Sequence, residues 1–141
     1  MTERAFEGRC HCGAIGFTYR TAVPPGEWAV RACQCDFCRG HGARTTTNAK
    51  ASVSFRIADS SKLVRYRFGT ATSDFLVCSG CGVYLGAVLT SGGRQFATLN
   101  VNTIRSAPDI PEPQPVSYDG ESADQRRTRR EERWTPVDGP V

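Results

Sequence analysis

Phe75-Leu76-Val77-Cys78-Ser79-Gly80-Cys81-Gly82-Val83-Tyr84-Leu85 places a C-x-x-C knuckle between two apolar, strand-like runs. Two intervening residues let both sulfurs reach one ion, and the glycine after the second cysteine permits the tight turn. A knuckle supplies two ligands, whereas a closed tetrahedral zinc site needs four. The other two must come from elsewhere in the chain.

Working outward, two further clusters appear: Cys10-His11-Cys12-Gly13 and Cys33-Gln34-Cys35-Asp36-Phe37-Cys38. Together the three clusters hold all 7 cysteines. An odd count fits a disulfide framework poorly, and Cys10/Cys12 and Cys33/Cys35 are too close in sequence to bridge without strain. Four cysteines close one site and leave three. Three protein ligands with a vacant fourth position is the pattern of a catalytic zinc, not a structural one. Spacing leaves open whether Cys10/Cys12 or two of the middle three share the metal of Cys78 and Cys81.

The segments between the clusters read as strands. Ile15-Gly16-Phe17-Thr18-Tyr19, Val53-Ser54-Phe55-Arg56-Ile57 and Val64-Arg65-Tyr66-Arg67-Phe68 alternate apolar and polar positions, and Phe96 to Val101 completes the set. By this period Phe17, Tyr19, Phe55, Tyr66, Phe68 and Phe75 are core residues. Pro24-Pro25-Gly26 and Ser91-Gly92-Gly93 are turns. Between residues 8 and 105 no segment keeps a helical period for three turns. From Ser106 the character changes: six of the 8 prolines lie there, around Arg126-Arg127-Thr128-Arg129-Arg130-Glu131-Glu132-Arg133. That stretch reads as a surface-wrapping or partly disordered tail with a solvated mixed-charge turn. The expected division is a zinc domain at 8–105 and a Pro- and charge-rich extension at 106–141.

At 141 residues the chain is sized for one small domain, of a kind that leans on metal staples to supplement a thin core. No run of 18 apolar residues spans a membrane, and residues 1–7 are too polar for a signal peptide, so a cytoplasmic protein is expected. Thiols stay reduced there, which favours metal over disulfides. The formal charge of +4 counts the cysteines as neutral. Seven thiolates against two divalent ions bring it to about +1, because only the thiolate is a ligand. The basic balance therefore gives no case for nucleic acid.

Three stretches resemble one known family, that of the glutathione-dependent formaldehyde-activating enzymes, which also contains centromere protein V. They are Gly8-Arg9-Cys10-His11-Cys12-Gly13-Ala14-Ile15-Gly16-Phe17, Cys33-Gln34-Cys35-Asp36-Phe37-Cys38-Arg39 with Gly42-Ala43, and the Phe75–Leu85 stretch. Ala97 to Ile104 is similar to the strand that closes that domain. The resemblance covers about residues 8–105. It implies an all-β tent of packed antiparallel sheets with few short helical turns, and two zinc ions. It further implies that Cys10, Cys12, Cys78 and Cys81 form a structural site and that Cys33, Cys35 and Cys38 hold a catalytic zinc. The implied activity is a carbon–sulfur lyase reaction that joins glutathione and formaldehyde into S-(hydroxymethyl)glutathione. The partners are then a small thiol and a small aldehyde, with no membrane. Many relatives carry a bulkier, more aromatic stretch where this chain has Gly40 to Thr47.

Residues around the trio are candidates for further roles. His41 is a candidate fourth ligand or proton carrier, and Arg39 a candidate for a substrate carboxylate. His11 is expected in solvent. Asn100 and Asn102 alternate along a strand, where hydrogen bonding at its end is the simpler account. Trp28 and Trp134 have no assigned place. The rival functions are a non-catalytic zinc module that binds a protein, with His41 closing the site, and a zinc-ribbon-like nucleic-acid binder. Iron in a tetrathiolate site has the same ligands as zinc.

Overall fold

The computed structural model describes residues 2–107 and 109–141. In chain order the elements are β1 (Arg4–Arg9), β2 (Ile15–Thr21), β3 (Val30–Cys33), α1 (Asp36–His41), β4 (Thr45–Thr46), β5 (Ser52–Ile57), β6 (Leu63–Tyr66), β7 (Asp74–Cys78), β8 (Tyr84–Ser91), β9 (Arg94–Asn100), β10 (Gln114–Val116), α2 (Ala123–Arg133) and β11 (Thr135–Pro136). The fold is mostly β, as expected, in two sheets. The smaller has the order β1-β2-β5, and the larger runs β10-β3-β4-β9-β8-β7-β6, with β11 added to β9. Every pairing is antiparallel except that of β10, which lies parallel to β3. That parallel strand departs from the expected all-antiparallel arrangement. It arises because the chain returns to the sheet after leaving it at β9.

Alternation along β2 and β5 turns Phe17, Tyr19 and Val53 inward, as the strand period requires. They meet Leu76, Leu85 and Leu99 of the larger sheet in one buried cluster. Trp28 has its place here: its ring stands edge-on to Phe6 at 4.9 Å and to Tyr19 at 5.3 Å. Its Nε1 donates to the Val23 carbonyl at 2.9 Å, so the indole's one polar atom is satisfied on burial. Tyr19 is buried deeply enough that its hydroxyl is pushed up to about 12, despite a bond with Thr21.

The alternation rule fails at β6. Tyr66 is 48% exposed, although its strand period made it a core residue. β6 is the outer strand of the larger sheet, so its outward face has no second layer to meet. Gly86 on β8 shows the opposite situation. A Cβ there would lie 2.3 Å from the Thr98 carbonyl oxygen on β9. The register of β7 against β8 also shifts beside it, between Leu76 and Val77.

The tail is the largest departure. Residues 126–133 do not form a solvated turn but belong to the eleven-residue α2. Its start is a capping box: Ser122 Oγ accepts from Gln125 N at 3.1 Å, and Gln125 Oε1 accepts from Ser122 N at 2.9 Å. One helical face packs on the protein, burying Arg130, and the helix ends at the buried Trp134. Thr135 Oγ1 then accepts from Asn48 N at 3.0 Å, and Asp138 N donates to Val53 O at 2.8 Å, reaching the smaller sheet.

Candidate metal centres and an arginine-lined cavity

Two hairpin tips, one from each sheet, converge. The β1–β2 turn carries Cys10 and Cys12, closed by Gly13 N donating to the Cys10 carbonyl at 3.1 Å. The β7–β8 turn carries Cys78 and Cys81, with Gly82 N donating to the Cys78 carbonyl at 2.7 Å. Gly82 holds φ at +80°, a left-handed conformation in which a side chain would be strained. The four sulfurs lie within 4.8 Å of one another. Cys10 and Cys12 Sγ are 3.8 Å apart, and Cys12 and Cys78 Sγ 3.6 Å. A tetrahedron with metal–sulfur bonds of about 2.3 Å has an edge of about 3.8 Å, whereas a disulfide bond is about 2.0 Å long. The donor set fits a four-coordinate soft divalent metal, zinc included. Ile15 N points at Cys10 Sγ from 3.4 Å, a backbone donor to a would-be thiolate.

The second group is built differently. Cys33 ends β3, Cys35 is the N-cap of α1, and Cys38 lies in that helix's first turn. The cap is formed by sulfur: Cys35 Sγ accepts from Cys38 N at 3.4 Å. Their three sulfurs also lie within 4.8 Å of one another, and no further His, Cys, Asp or Glu among the described residues joins them. All seven cysteines are free thiols. Cys33 is held down at about 5, chiefly by the Cys38 thiol donating to it, against the opposing effect of burial. Cys38 moves strongly upward for the complementary reason, as the donor to Cys33 and a buried group. The coupled Cys33–Cys38 pair sheds its first proton readily, which suits a metal-binding group.

Phe37 anchors α1. Its ring packs on Phe75 and Tyr84 at 5.0 Å each and on Phe68 at 5.1 Å. Tyr84 is buried, and that burial, followed by the nearby Cys38 sulfur, raises its hydroxyl well above the usual range. It stays a neutral phenol beside the trio.

In front of the trio opens a cavity of about 310 Å³. Phe68, Phe75, Tyr84 and Trp134 provide its apolar wall, Thr45, Thr47 and Thr98 its hydroxyls. Five arginines line it as well (Arg31, Arg126, Arg129, Arg130 and Arg133), against one aspartate, Asp119. Four of the five come from α2, at positions separated by three, one and three residues, the spacing of one helical face. Sequence reasoning missed them. Both the spacing and the Ser122-x-x-Gln125 box that starts the helix were available signals, obscured by the prolines before them.

The other expected site residues lie elsewhere. His41 is outside the sulfur group; its ring rests on Phe37 at 4.6 Å and near Tyr84 at 5.6 Å, and it lines a separate cleft of about 430 Å³ with His11, Arg9 and Arg105. Arg39 is exposed, 3.9 Å from Asp36, and lines neither cavity. Asn100 is structural: its side-chain amide donates to the Tyr84 carbonyl at 2.9 Å and its oxygen accepts from Asn102 N at 3.2 Å. Asn102 accepts from Arg44 Nε at 2.6 Å and donates to the Gly42 carbonyl at 2.9 Å.

Two β-sheets joined where four sulfurs converge, with three more sulfurs lining a cavity, make a mostly β fold with two cysteine groups that could each hold a metal ion. Comparison with known proteins narrows this. The model of the glutathione-dependent formaldehyde-activating enzyme family matches residues 5–118, and the chain belongs to that family. A crystal structure of a Rhodobacter sphaeroides protein, determined in a structural genomics programme, is similar to it with 28% identity and a TM-score of 0.59. The match covers 78% of this chain and 99% of that one. No curated protein matches the sequence. No helix among the described residues is long and apolar enough to cross a membrane.

Proposed function

We propose that the chain is a zinc-dependent enzyme of the carbon–sulfur lyase type, which joins a small thiol of the glutathione kind to formaldehyde or another small aldehyde. The observation that carries this reading is that the three-sulfur group, one ligand short of a tetrahedron, lines a cavity, whereas the other group has four sulfurs of its own. In this reading Cys33, Cys35 and Cys38 hold the catalytic zinc, and Cys10, Cys12, Cys78 and Cys81 the structural one. The domain proper is residues 8–105, and residues 106–141 are an extension wrapped on it.

When bound at the trio, zinc supplies a coordination position that lowers the pKa of an incoming thiol and fixes its sulfur. The chain's own residues do the rest. The aromatic wall of Phe68, Phe75 and Trp134 excludes water from the reacting pair. Neutral Tyr84 adds no negative charge beside sulfurs that already carry it. Thr45, Thr47 and Thr98 supply hydroxyls along the path of a carbonyl oxygen. In the addition the thiol's sulfur bonds the carbonyl carbon, the π electrons of C=O move to oxygen, and the thiol's proton ends there. Holding both reactants in one small cavity supplies proximity.

A purely structural or partner-binding module would close the trio with a fourth side chain, and His41, the candidate, packs on Phe37 instead. A nucleic-acid binder would present its arginines outward, whereas four of the five in α2 line the cavity and two of those pair with Glu121. Seven unpaired thiols support a reducing, cytoplasmic setting. The test is adduct formation from glutathione and formaldehyde with purified, zinc-loaded protein. A rate above the spontaneous one, lost in Cys35→Ser, is expected. No excess over the spontaneous rate across several thiols would remove the assignment.

A further inference from the structure

Among the arginines that line the cavity, Arg130 stands apart. Arg126 and Arg129 share one carboxylate, Glu121: Arg129 Nε lies 2.9 Å from Oε2, and Arg126 Nε 3.4 Å from Oε1. Arg129 also covers the Tyr118 ring, at 3.6 Å from its centroid. Arg130 is 8% exposed and forms no salt bridge among the described residues. Its Nη1 donates to Ser73 Oγ at 2.7 Å and to Thr72 Oγ1 at 2.9 Å, and Nε is buried with no partner. Two neutral hydroxyls thus hold one corner of the guanidinium and the Trp134 ring covers its face, 4.6 Å from Cζ to the centroid, but no carboxylate among the described residues meets the buried positive charge.

A buried charge without a counterion is costly, and it persists where something else supplies the opposite charge. Three thiolates and a divalent ion would sum to a single negative charge, fewer than the three positive charges of Arg130, Arg31 and Arg133 on the same lining. Burial pulls the Arg130 guanidinium down to about 10, with Arg129 and Arg126 adding repulsion, which still leaves it fully charged at neutral pH. Arg31 and Arg133, also on the lining, have no carboxylate partner either. Arg31 is turned along the wall by its Nη1 bond to Thr47 Oγ1 at 3.1 Å. A planar guanidinium with Nη1 occupied has one edge left for two oxygens in a plane, the geometry of a carboxylate.

We infer that the cavity face of α2 is an anion subsite, in which Arg130, supported by Arg31 and Arg133, takes the carboxylate of the small molecule whose reactive end meets Cys33, Cys35 and Cys38. Which end reacts rests on the proposed function; that the cavity selects a carboxylate does not. Arg31 lies within residues 5–118, which the family model matches, whereas α2 lies beyond them.

Calorimetric titration of the full zinc-loaded chain with S-methylglutathione and with its dimethyl ester separates the two ideas, because neither probe has a free thiol. The acid should bind more tightly than the ester by about tenfold or more, the loss expected for a charge-assisted hydrogen bond. Arg130→Gln should abolish that preference, and circular dichroism establishes whether the variant is folded. If it does not fold, the acid–ester comparison on the unaltered chain decides alone. Equal binding of acid and ester, or a folded Arg130→Gln that keeps the preference, would overturn the subsite. Tighter binding of inorganic phosphate than of succinate would overturn the choice of carboxylate. Catalysed addition of formaldehyde at equal rates to glutathione and its dimethyl ester would sink the subsite and leave the proposed function standing. A kept acid preference with no catalysed addition would do the reverse.

Discussion

Sulfur separations near 3.7 Å and a pair of depressed thiols are what a single residue contributes here, and their consequences are local. Burial opposes ionisation of Cys81, yet the backbone amides of Cys12 and Val83, with the thiols of Cys78 and Cys10, hold it at about 6, against an ordinary 9.0. Because the folded value is depressed, its stabilising effect is complete above the ordinary thiol value. It is lost as pH falls through about 6 at Cys81, and through about 5 at Cys33. Protein from which only the trio's metal has been removed should therefore melt at progressively lower temperature as pH is lowered from about 8 to about 5, and a flat calorimetric profile would contradict the charged-sulfur account. Gly86→Ala should cost about 2 kcal/mol, since its methyl group meets a β9 carbonyl and not a movable side chain; urea titration measures it. At this scale the three cysteine clusters were legible in the sequence from their spacing, while which pairs converge on one another was not. Arg130 was not, because Thr72 and Ser73 lie 58 and 57 residues away from it in the chain.

At the scale of elements, the strands announced themselves and α2 did not. Alternation in β2 and β5 comes from a sheet buried on one face, which is a local signature. The helix is rich in charge because one face meets a polar cavity and the other meets water, so no apolar stripe marks it. Its cap was readable as Ser122-x-x-Gln125, and its arginine spacing as one face. Its docking on Thr72 and Ser73 was not, being set by tertiary contacts. Removing the cap tests how firmly the arginines are held. Ser122→Ala should destabilise the protein by about 1 kcal/mol, a fall of about 3–5 °C in Tm by differential scanning calorimetry. The same variant should weaken carboxylate binding without altering metal content, since the helix carries no ligand.

Considered as a whole, the molecule is two sheets tied at one end by the Cys10–Cys12 and Cys78–Cys81 turns and at the other by the tail reaching Val53. The two metal sites should then differ in what their loss does. A graded chelator titration is expected to empty the trio first, with little change in far-UV circular dichroism, and the four-sulfur site second, together with unfolding. Release of both metals in one step coincident with unfolding would show that the trio is as structural as the staple. Val116 lies beside Cys33 in the parallel pair of β10 and β3, and the carbonyl of Val116 accepts from Gln34 N at 2.9 Å. The polypeptide leaves the shared domain from that spot and folds back over the cavity mouth. The proposed reactivity thereby sits in the shared stretch, and most of the inferred selectivity in the stretch that follows it. Exchanging the last two dozen residues for another sequence should keep the appetite for sulfur chemistry and change the taste in guests.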